Sequence, residues 1–181
     1  LFRKGEALQR LETVARVAFD KTGTLTEGKP RVVAVLPDLP QVIEVAAAVE
    51  AFSEHPLAGA VLAEAAARGL HPPVAEGFQA VPGKGATARL NGVAVAVGSA
   101  RLFAEVPPAL AEMAAAAQAR GQGVLFVGLE GVAIGMITVA DPIKPNAAEA
   151  VRALRGLGVD SIMITGDAER TARAVAGAID I

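Results

Sequence analysis

The sequence predicts an α/β fold in which a parallel-sheet domain is interrupted by an inserted α+β domain built on an antiparallel sheet. An apolar run at 14–19 ends abruptly in a polar loop, and the C-terminal part alternates helix, strand and helix, which is typical of a parallel sheet. Between them, short apolar runs are separated by tight-turn dipeptides, which indicate antiparallel hairpins. We place the insert at 31–138, flanked by the first segment, 1–30, and the second segment, 139–181, of the other domain.

Local patterns assign each element. Asn91-Gly92 and Glu130-Gly131 each lie between two β-rich runs, and Asn-Gly is a strong hairpin signal. Apolar residues at helical spacing predict the helices, and Pro56 is expected in the first turn of one of them. The predicted strands are 14–19, 31–36, 86–90, 93–97, 124–129, 132–140 and 159–165, and the predicted helices are 41–52, 56–70, 107–121, 145–158 and 168–179.

Composition narrows the class of protein. The chain has 181 residues, of which 52% are hydrophobic but only 3% aromatic, so its core is built from Ala, Val and Leu, which suit helices packed on sheets. A formal net charge of −2 gives no basic surface for nucleic acid, so we expect no nucleic-acid partner. The absence of cysteine excludes disulfides and thiolate metal sites.

No stretch of the sequence predicts a membrane span or a signal peptide. The longest apolar run, 131–140, is far shorter than the roughly 18–20 residues needed to cross a bilayer. The chain also lacks an initiator Met and the apolar core of a signal peptide. We therefore expect a soluble piece of a longer protein.

The ends of the first and last predicted strands carry the candidate chemistry. In an open parallel sheet, ligands bind where the strands end, and both Asp20 and the segment 165–167 lie there. Asp20 is placed to accept a phosphoryl group as a covalent nucleophile. Thr165, before a helix, can offer its hydroxyl and nearby N–H groups to phosphate oxygens. Asp20 and the Thr22 carbonyl are candidate Mg²⁺ ligands. A single Asp after a strand is more often a turn residue, so the surrounding motif matters.

That motif, "DKTGT" at 20–24, together with "MITGD" at 163–167, resembles the phosphorylation site of the P-type ATPases. The resemblance covers essentially the whole chain. It implies a haloacid-dehalogenase-like phosphorylation domain carrying an inserted nucleotide-binding domain, and it implies ATP and Mg²⁺ as cofactors. The catalytic residues that it implies are Asp20, Lys21, Thr22, Thr165, Gly166 and Asp167.

A second motif, "SEHPLA" at 53–58, resembles the nucleotide site of the heavy-metal-transporting branch of that family. The glycine pair in "VPGKGA" at 81–86 is also similar to that branch. We expect a copper-type pump, with zinc or cadmium as the alternative. Ser99 stands where the family more often has Asn, so its role is open. The nucleotide-binding residues that the resemblance implies are Glu50, Glu54, His55, Gly83, Gly85 and Gly98.

The resemblance also implies partners and a location. ATP or ADP, the membrane helices and actuator domain of the same polypeptide, and a heavy-metal ion bound outside these residues are the expected partners, and the cytoplasmic face of a membrane is the expected place. The family's later Gly-Asp-Gly loop, which binds Mg²⁺, is not in this sequence. We therefore expect the chain to bind nucleotide but to phosphorylate Asp20 poorly.

Two other functions stay open. A soluble phosphohydrolase of the haloacid-dehalogenase type would use the insert as a substrate cap. It would also need a second Asp two residues after the nucleophile, where this chain has Thr22. A nucleotide-binding module without turnover is the third class. Asp141, in "ADPIKP" at 140–145, is expected to be a hinge and hydrogen-bonding residue.

Overall fold

The structure is a computed structural model that describes residues 13–167 and 169–181. Residues 1–12 of the predicted first segment, and Ala168 at the start of the last predicted helix, lie outside this range. The strands are β1 (Arg16–Asp20), β2 (Arg31–Leu36), β3 (Glu76–Val81), β4 (Gly85–Leu90), β5 (Val93–Gly98), β6 (Gly123–Leu129), β7 (Val132–Ala140) and β8 (Asp160–Ile164). The α-helices are α1 (Pro40–Glu50), α2 (Ala58–Ala67), α3 (Pro108–Ala119), α4 (Ala147–Gly156) and α5 (Glu169–Ala178).

The strands form a parallel pair and an antiparallel sheet, as the sequence predicts. β1 and β8 are parallel, with Asp20 opposite Ile164, so both strands end at the same edge. The other strands form an antiparallel sheet in the order β2-β7-β6-β5-β4-β3. This sheet runs from Arg31 to Ala140, so β7 extends two residues past the expected boundary at residue 138. The fold class is confirmed.

Both predicted hairpins are confirmed, and their turns have the backbone that such turns require. Asn91 and Gly92 have φ of 51° and 85°, and Glu130 and Gly131 have φ of 47° and 81°. Two successive residues with positive φ give the turn whose twist matches that of the flanking strands. Gly supplies this conformation without steric cost at the second position of each turn.

Helices cover both faces of the antiparallel sheet. Neighbouring residues of a strand point to opposite faces, so Val127 and Ile137 pack in the larger core with α1 and α2, while Phe126 and Met136 pack with α3. The larger core contains many small side chains of α1, in the stretch Val45–Val49, all of them almost fully buried. Small residues allow the helix to approach the sheet closely, which explains the high alanine content of this stretch.

Two elements differ from the sequence prediction. α2 begins at Ala58, so Pro56 lies in the turn before the helix and not in its first turn. The cause is local: the Ser53 hydroxyl accepts the His55 N–H, and His55 Nδ1 accepts the Leu57 N–H, which offers the backbone an alternative to the helix. Strand β3 was not predicted, because its register shifts between Glu76 and Gln79 and interrupts the alternation of apolar residues.

The chain crosses between the two sheets twice, and the Asp141 carboxylate binds the two crossings together. One of its oxygens lies 2.5 Å from the Thr26 hydroxyl and 3.1 Å from the Gly28 N–H, and the other accepts the Lys29 N–H at 3.0 Å. The Thr26 hydroxyl also lies 3.0 Å from the Lys21 carbonyl, but that carbonyl already accepts the Thr26 N–H. We therefore assign the single hydroxyl proton of Thr26 to the bond with the charged Asp141 carboxylate. Thr26 is completely buried.

Lys144 ties the returning crossing to the loop that follows β1. Its Nζ donates to the Gly23 carbonyl at 2.6 Å, and its backbone N–H donates to the Leu25 carbonyl at 2.9 Å. Glu27 in turn donates its N–H to the Pro142 carbonyl at 2.9 Å. These bonds hold the residues after Asp20 against the point where the chain re-enters the parallel pair.

We expect Thr26→Val to lower the free energy of unfolding by about 1–3 kcal/mol, because it removes a buried hydrogen bond to a carboxylate while keeping the volume of the side chain. Urea denaturation of wild type and variant measures the difference. Thr24→Val makes the same chemical change on the exposed part of the same loop and should leave stability almost unchanged. Equal effects of the two substitutions would contradict the role of the Asp141 clamp.

Candidate active site

The ends of β1 and β8 bring the two predicted catalytic loops together. Asp20 is exposed at the end of β1, and the segment 165–167 follows β8 beside it. The ammonium group of Lys21 forms an ion pair with the carboxylate of Asp167, across 146 positions of sequence. The Lys21 side chain is largely buried and that of Asp167 is about one-third exposed, with side-chain values of 11% and 34%. The ion pair is therefore partly accessible to solvent.

The loop after Asp20 is a tight turn that keeps polar groups available. Gly23 has φ of 78°, and a Cβ on the nearby Gly28 would lie 3.2 Å from the Gly23 Cα, so this loop folds closely on itself. Thr22 has extended angles within the turn and is exposed. On the other loop, Thr165 Oγ1 accepts the Asp167 N–H at 3.1 Å, which leaves its own proton free for another acceptor.

A single cleft of about 880 Å³ gathers the predicted nucleotide-binding residues with this ion pair. Its polar and charged walls come from α1, from the turn before α2, from the ends of β4 and β5, and from the two catalytic loops. Asp20, Thr22, Thr165 and Gly166, all within the described residues, do not line it and lie next to its margin. The predicted residues that do line the cleft are Lys21, Glu50, Glu54, His55, Gly83, Gly85, Gly98 and Asp167.

Glu50 is a buried carboxylate at the end of α1. Only 5% of the residue is exposed, and its Oε2 has no hydrogen-bond partner among the described residues. Burial raises the pKa of Glu50 above its ordinary value, while the Ser53 hydroxyl and the neighbouring His55 oppose that shift. A buried acceptor without a partner is costly, so such an atom in a cleft is suited to a ligand that donates a hydrogen bond.

The glycines form the wall where β4 and β5 meet. A Cβ at Gly85 would lie 2.1 Å from the Val97 carbonyl oxygen, and one at Gly98 would lie 2.1 Å from the Lys84 carbonyl oxygen. Any side chain would push these strands apart, so both positions require Gly. Ser99 follows directly; its N–H donates to the Lys84 carbonyl, and its buried hydroxyl has no partner among the described residues. This part of the wall is therefore formed by backbone atoms and by one hydroxyl that is available to a ligand.

Residues of α5 and of the turn after α3 also line the cleft. The Thr171 hydroxyl donates to the Gln122 carbonyl at 3.3 Å, and Val175 is buried beside Gly121. A Cβ on Gly121 would lie 3.3 Å from Val175 Cγ2, so the two elements are already in close contact. These residues were not predicted from sequence, because no local pattern marks a contact between elements that are far apart in the chain.

Two phenylalanines in the cleft were also missed. Phe52 and Phe78 line it, with ring centroids 6.1 Å apart. The chain has neither Tyr nor Trp, so these two phenylalanines are the aromatic hydrocarbon rings that line the cleft. An apolar ring three residues before the exposed His55 was a signal that could have found Phe52.

Comparison with known proteins identifies the family of this chain. The model of the haloacid dehalogenase-like hydrolases matches residues 14–181. The chain belongs to this family. It is 42% identical over 191 residues to a probable copper-exporting P-type ATPase V of Mycobacterium tuberculosis, and the match covers 100% of this chain and 24% of that protein. The chain therefore spans about a quarter of the length of such curated relatives.

Solved structures agree with this family. A crystal structure of a zinc-transporting PIB-type ATPase in the E2.Pi state matches 100% of this chain and 30% of its own chain, at 38% identity and a TM-score of 0.74. The N-domain of HMA8, a copper-transporting P-type ATPase, matches 61% of this chain and 99% of its own, at 31% identity and a TM-score of 0.51. The expected similarity to heavy-metal P-type ATPases is confirmed. In the described residues, no helix has the length and apolarity needed to cross a membrane.

The residues present fit a nucleotide and part of a Mg²⁺ site. Glu50 Oε2 and Ser99 Oγ are two buried polar atoms in the cleft wall that a bound nucleotide would satisfy. Within the described ranges, no group of at least three His, Cys, Asp or Glu side chains could hold a metal. Asp20 and the Thr22 carbonyl would supply two oxygen ligands, which suits Mg²⁺ because it keeps waters and substrate phosphates as its other ligands. The individual roles of these residues stay predictions.

We expect Glu50→Gln to stabilise the fold relative to wild type at about pH 7 and to lose this advantage at about pH 4. Burial raises the folded-state pKa of Glu50 above 4.5, so the folded state holds the proton more tightly than the unfolded state. Stability from this group is therefore present at low pH and is lost as the pH rises through the folded-state pKa. Urea denaturation at both pH values measures the effect. Glu54→Gln, on an exposed residue, is the control, and a pH-independent gain at Glu50 would contradict the argument.

Proposed function

We propose that this chain is the ATP-binding and phosphorylation region of a heavy-metal-exporting P-type ATPase, in which Asp20 accepts the terminal phosphoryl group. The observation that supports it best is the single cleft lined both by Glu50, His55 and the glycine pair and by Lys21 and Asp167. A base-binding wall and a phosphate-binding margin in one cleft match the two halves of a nucleotide.

The proposed reaction is transfer of the γ-phosphoryl group of ATP to Asp20. A carboxylate oxygen of Asp20 attacks the γ-phosphorus and forms a new P–O bond, while the bond to the oxygen that bridges to ADP breaks and ADP leaves. Phosphoryl transfer demands mainly positioning and charge neutralisation. Lys21 supplies positive charge next to Asp20, and the free proton of the Thr165 hydroxyl can be donated to a phosphate oxygen. Mg²⁺, when bound, would neutralise charge on the phosphates.

The ion pair of Lys21 with Asp167 keeps both groups ordered before phosphate arrives. Breaking a largely buried pair by removing one partner is costly, so Lys21 is held beside the nucleophile rather than extended into solvent. A phosphoryl group with its several negative oxygens would compete with Asp167 for this ammonium group. The pair can therefore exchange one anionic partner for another without leaving the lysine unpaired.

Thr22 favours a phosphoenzyme that persists. The residue lies two positions after Asp20, in an exposed and extended segment, and its side chain carries no carboxylate that could activate water. A long-lived acyl phosphate suits a pump that couples phosphorylation to a conformational change. A soluble phosphohydrolase, which must release phosphate quickly, is disfavoured by the same residue.

We further propose copper as the exported metal, with the cytoplasmic face of a membrane as the location. The support is the similarity, along the whole chain, to a probable copper-exporting pump. The zinc-transporting ATPase found among the solved structures makes zinc the alternative to be separated by experiment. Membrane helices that bind the ion, and an actuator domain, would belong to the same polypeptide.

Removing the His55 imidazole should weaken nucleotide binding. His55 Nδ1 accepts the Leu57 N–H, so the ring proton is on Nε2 and can be donated to a ligand in the cleft. We expect His55→Gln to bind ADP about three- to tenfold more weakly than wild type, as measured by isothermal titration calorimetry. His71→Gln changes the other, exposed histidine, which does not line the cleft, and should leave affinity unchanged. Unchanged affinity in His55→Gln would argue against this pocket as the nucleotide site.

Asp20→Asn should abolish phosphoenzyme formation in the full-length polypeptide. The assay incubates membranes with radiolabelled ATP and Mg²⁺ and measures acid-stable label that hydroxylamine removes, the chemistry of an acyl phosphate. Asp160→Asn, on an exposed Asp at the opposite end of the parallel pair, is the matched control and should label like wild type. Cu⁺ rather than Zn²⁺ is expected to stimulate labelling. Label that survives in Asp20→Asn would refute the proposal, and stimulation by Zn²⁺ alone would refute copper.

A further inference from the structure

An aromatic pair stands in the wall of the cleft, next to the buried carboxylate. Phe52 lies two residues after Glu50 and three before His55, and all of them line the cleft. Its ring centroid is 6.1 Å from that of Phe78, with the ring planes inclined by 35°. Phe52 is nevertheless 49% exposed, which is unusual for a phenylalanine that has an aromatic neighbour. Phe78 is therefore the packed ring of the pair, and Phe52 is the ring with a large exposed surface.

The chain contains a second aromatic pair that shows what a purely structural pair looks like here. Phe103 and Phe126 have centroids 6.3 Å apart, and Phe126 is buried in the core under α3, with 4% exposure. Neither ring lines the cleft. The exposed area of Phe52 is thus not a general property of aromatic pairs in this fold.

The backbone at Phe52 and at Phe78 is held in place by hydrogen bonds and by strand pairing. Phe52 follows the last turn of α1, where its N–H donates to the Val49 carbonyl at 3.3 Å. Phe78 lies on β3, whose register with β4 is fixed from Gln79 onwards. Phe78 is partly buried against the larger core and so supports the more exposed ring. The free surface of Phe52 is therefore presented by a supported side chain.

We propose that Phe52, backed by Phe78, is the surface on which the purine ring of the nucleotide stacks. This inference rests on the proposed nucleotide site and adds the residues that contact the face of the base. A purine is a flat π-system that gains from stacking on an aromatic ring, irrespective of its hydrogen bonds. Glu50 Oε2, which has no hydrogen-bond partner in the part of the chain that the structure describes, lies on the same wall and is suited to the edge of the base. The face of the base is then left to the aromatic pair.

The test compares ADP with pyrophosphate, which carries no base. We expect Phe52→Leu, which keeps apolar volume but removes the ring, to bind ADP about tenfold more weakly while binding pyrophosphate like wild type. Phe103→Leu removes a ring from the other aromatic pair and is the matched control, expected to bind both ligands like wild type. Thermal melts of all variants check that each is folded. In wild type, the adenine protons of bound ADP should shift upfield in NMR spectra, and Phe52→Leu should lose this shift.

Phe52→Trp gives a second, direct measurement. The chain has no tryptophan, so the indole introduced there would be the only such fluorophore, and a stacked purine should quench it. We expect quenching by ADP and none by pyrophosphate. If wild type binds ADP but Phe52→Leu binds it equally well with the same upfield shift, the stacking inference is wrong and the nucleotide site stands. If wild type binds neither ADP nor ATP, the proposed function itself fails.

Discussion

The parallel pairing of β1 with β8 is the contact on which the candidate site depends. It places Asp20 opposite Ile164, so the residues after each strand emerge at one edge although they are far apart in sequence. The Asp141 carboxylate then holds the outgoing segment, at Thr26, Gly28 and Lys29, against the returning one. The segment that forms the antiparallel sheet is therefore anchored beside the candidate catalytic loops both where it leaves the parallel pair and where it returns. The cleft lies between these loops and the antiparallel sheet.

The polar groups buried in the cleft wall lower the stability of the fold, although they are suited to binding a ligand. Glu50 is taken out of water at the end of α1, and its raised pKa reports the cost of ionising it there. Ser99 likewise buries a hydroxyl without a partner among the described residues. Thr138 and Ser161 also bury a hydroxyl without a partner among the described residues, but neither residue lines the cleft, whereas Glu50 and Ser99 both do. Their place in one cleft is understandable if a ligand supplies the missing hydrogen bonds.

Much of this arrangement was predictable from sequence, and the limits have physical causes. The Asn91-Gly92 and Glu130-Gly131 turns are set by local backbone preference, and the meeting of the two candidate catalytic loops follows from where two strands end. β3 escaped prediction because a register shift breaks its alternation, and the start of α2 was misplaced because side chains of Ser53 and His55 bind the backbone before it. The pairing of Lys21 with Asp167 depends on residues far apart in sequence, so no local pattern encodes it. The closeness of Gly85 to Gly98, in contrast, follows from the Asn91-Gly92 turn, which sets the register of β4 with β5.

The cleft also has a chemical direction that follows from which elements line it. Residues from α1, the turn after it and β3 contribute an acceptor and aromatic surface, through Glu50, Phe52 and Phe78. The loops after β1 and β8 contribute the ion pair of Lys21 with Asp167 to the lining of the cleft, and the Thr165 hydroxyl lies next to its margin. A nucleotide has the same polarity, with a flat apolar base at one end and anionic phosphates at the other. Lys84, beside the glycine pair, is a second cation that lines the cleft. In the proposed complex the phosphates would still favour the strand ends, because the Lys21 ammonium group and the Thr165 hydroxyl can donate to them there, whereas the opposite end presents the Glu50 carboxyl group.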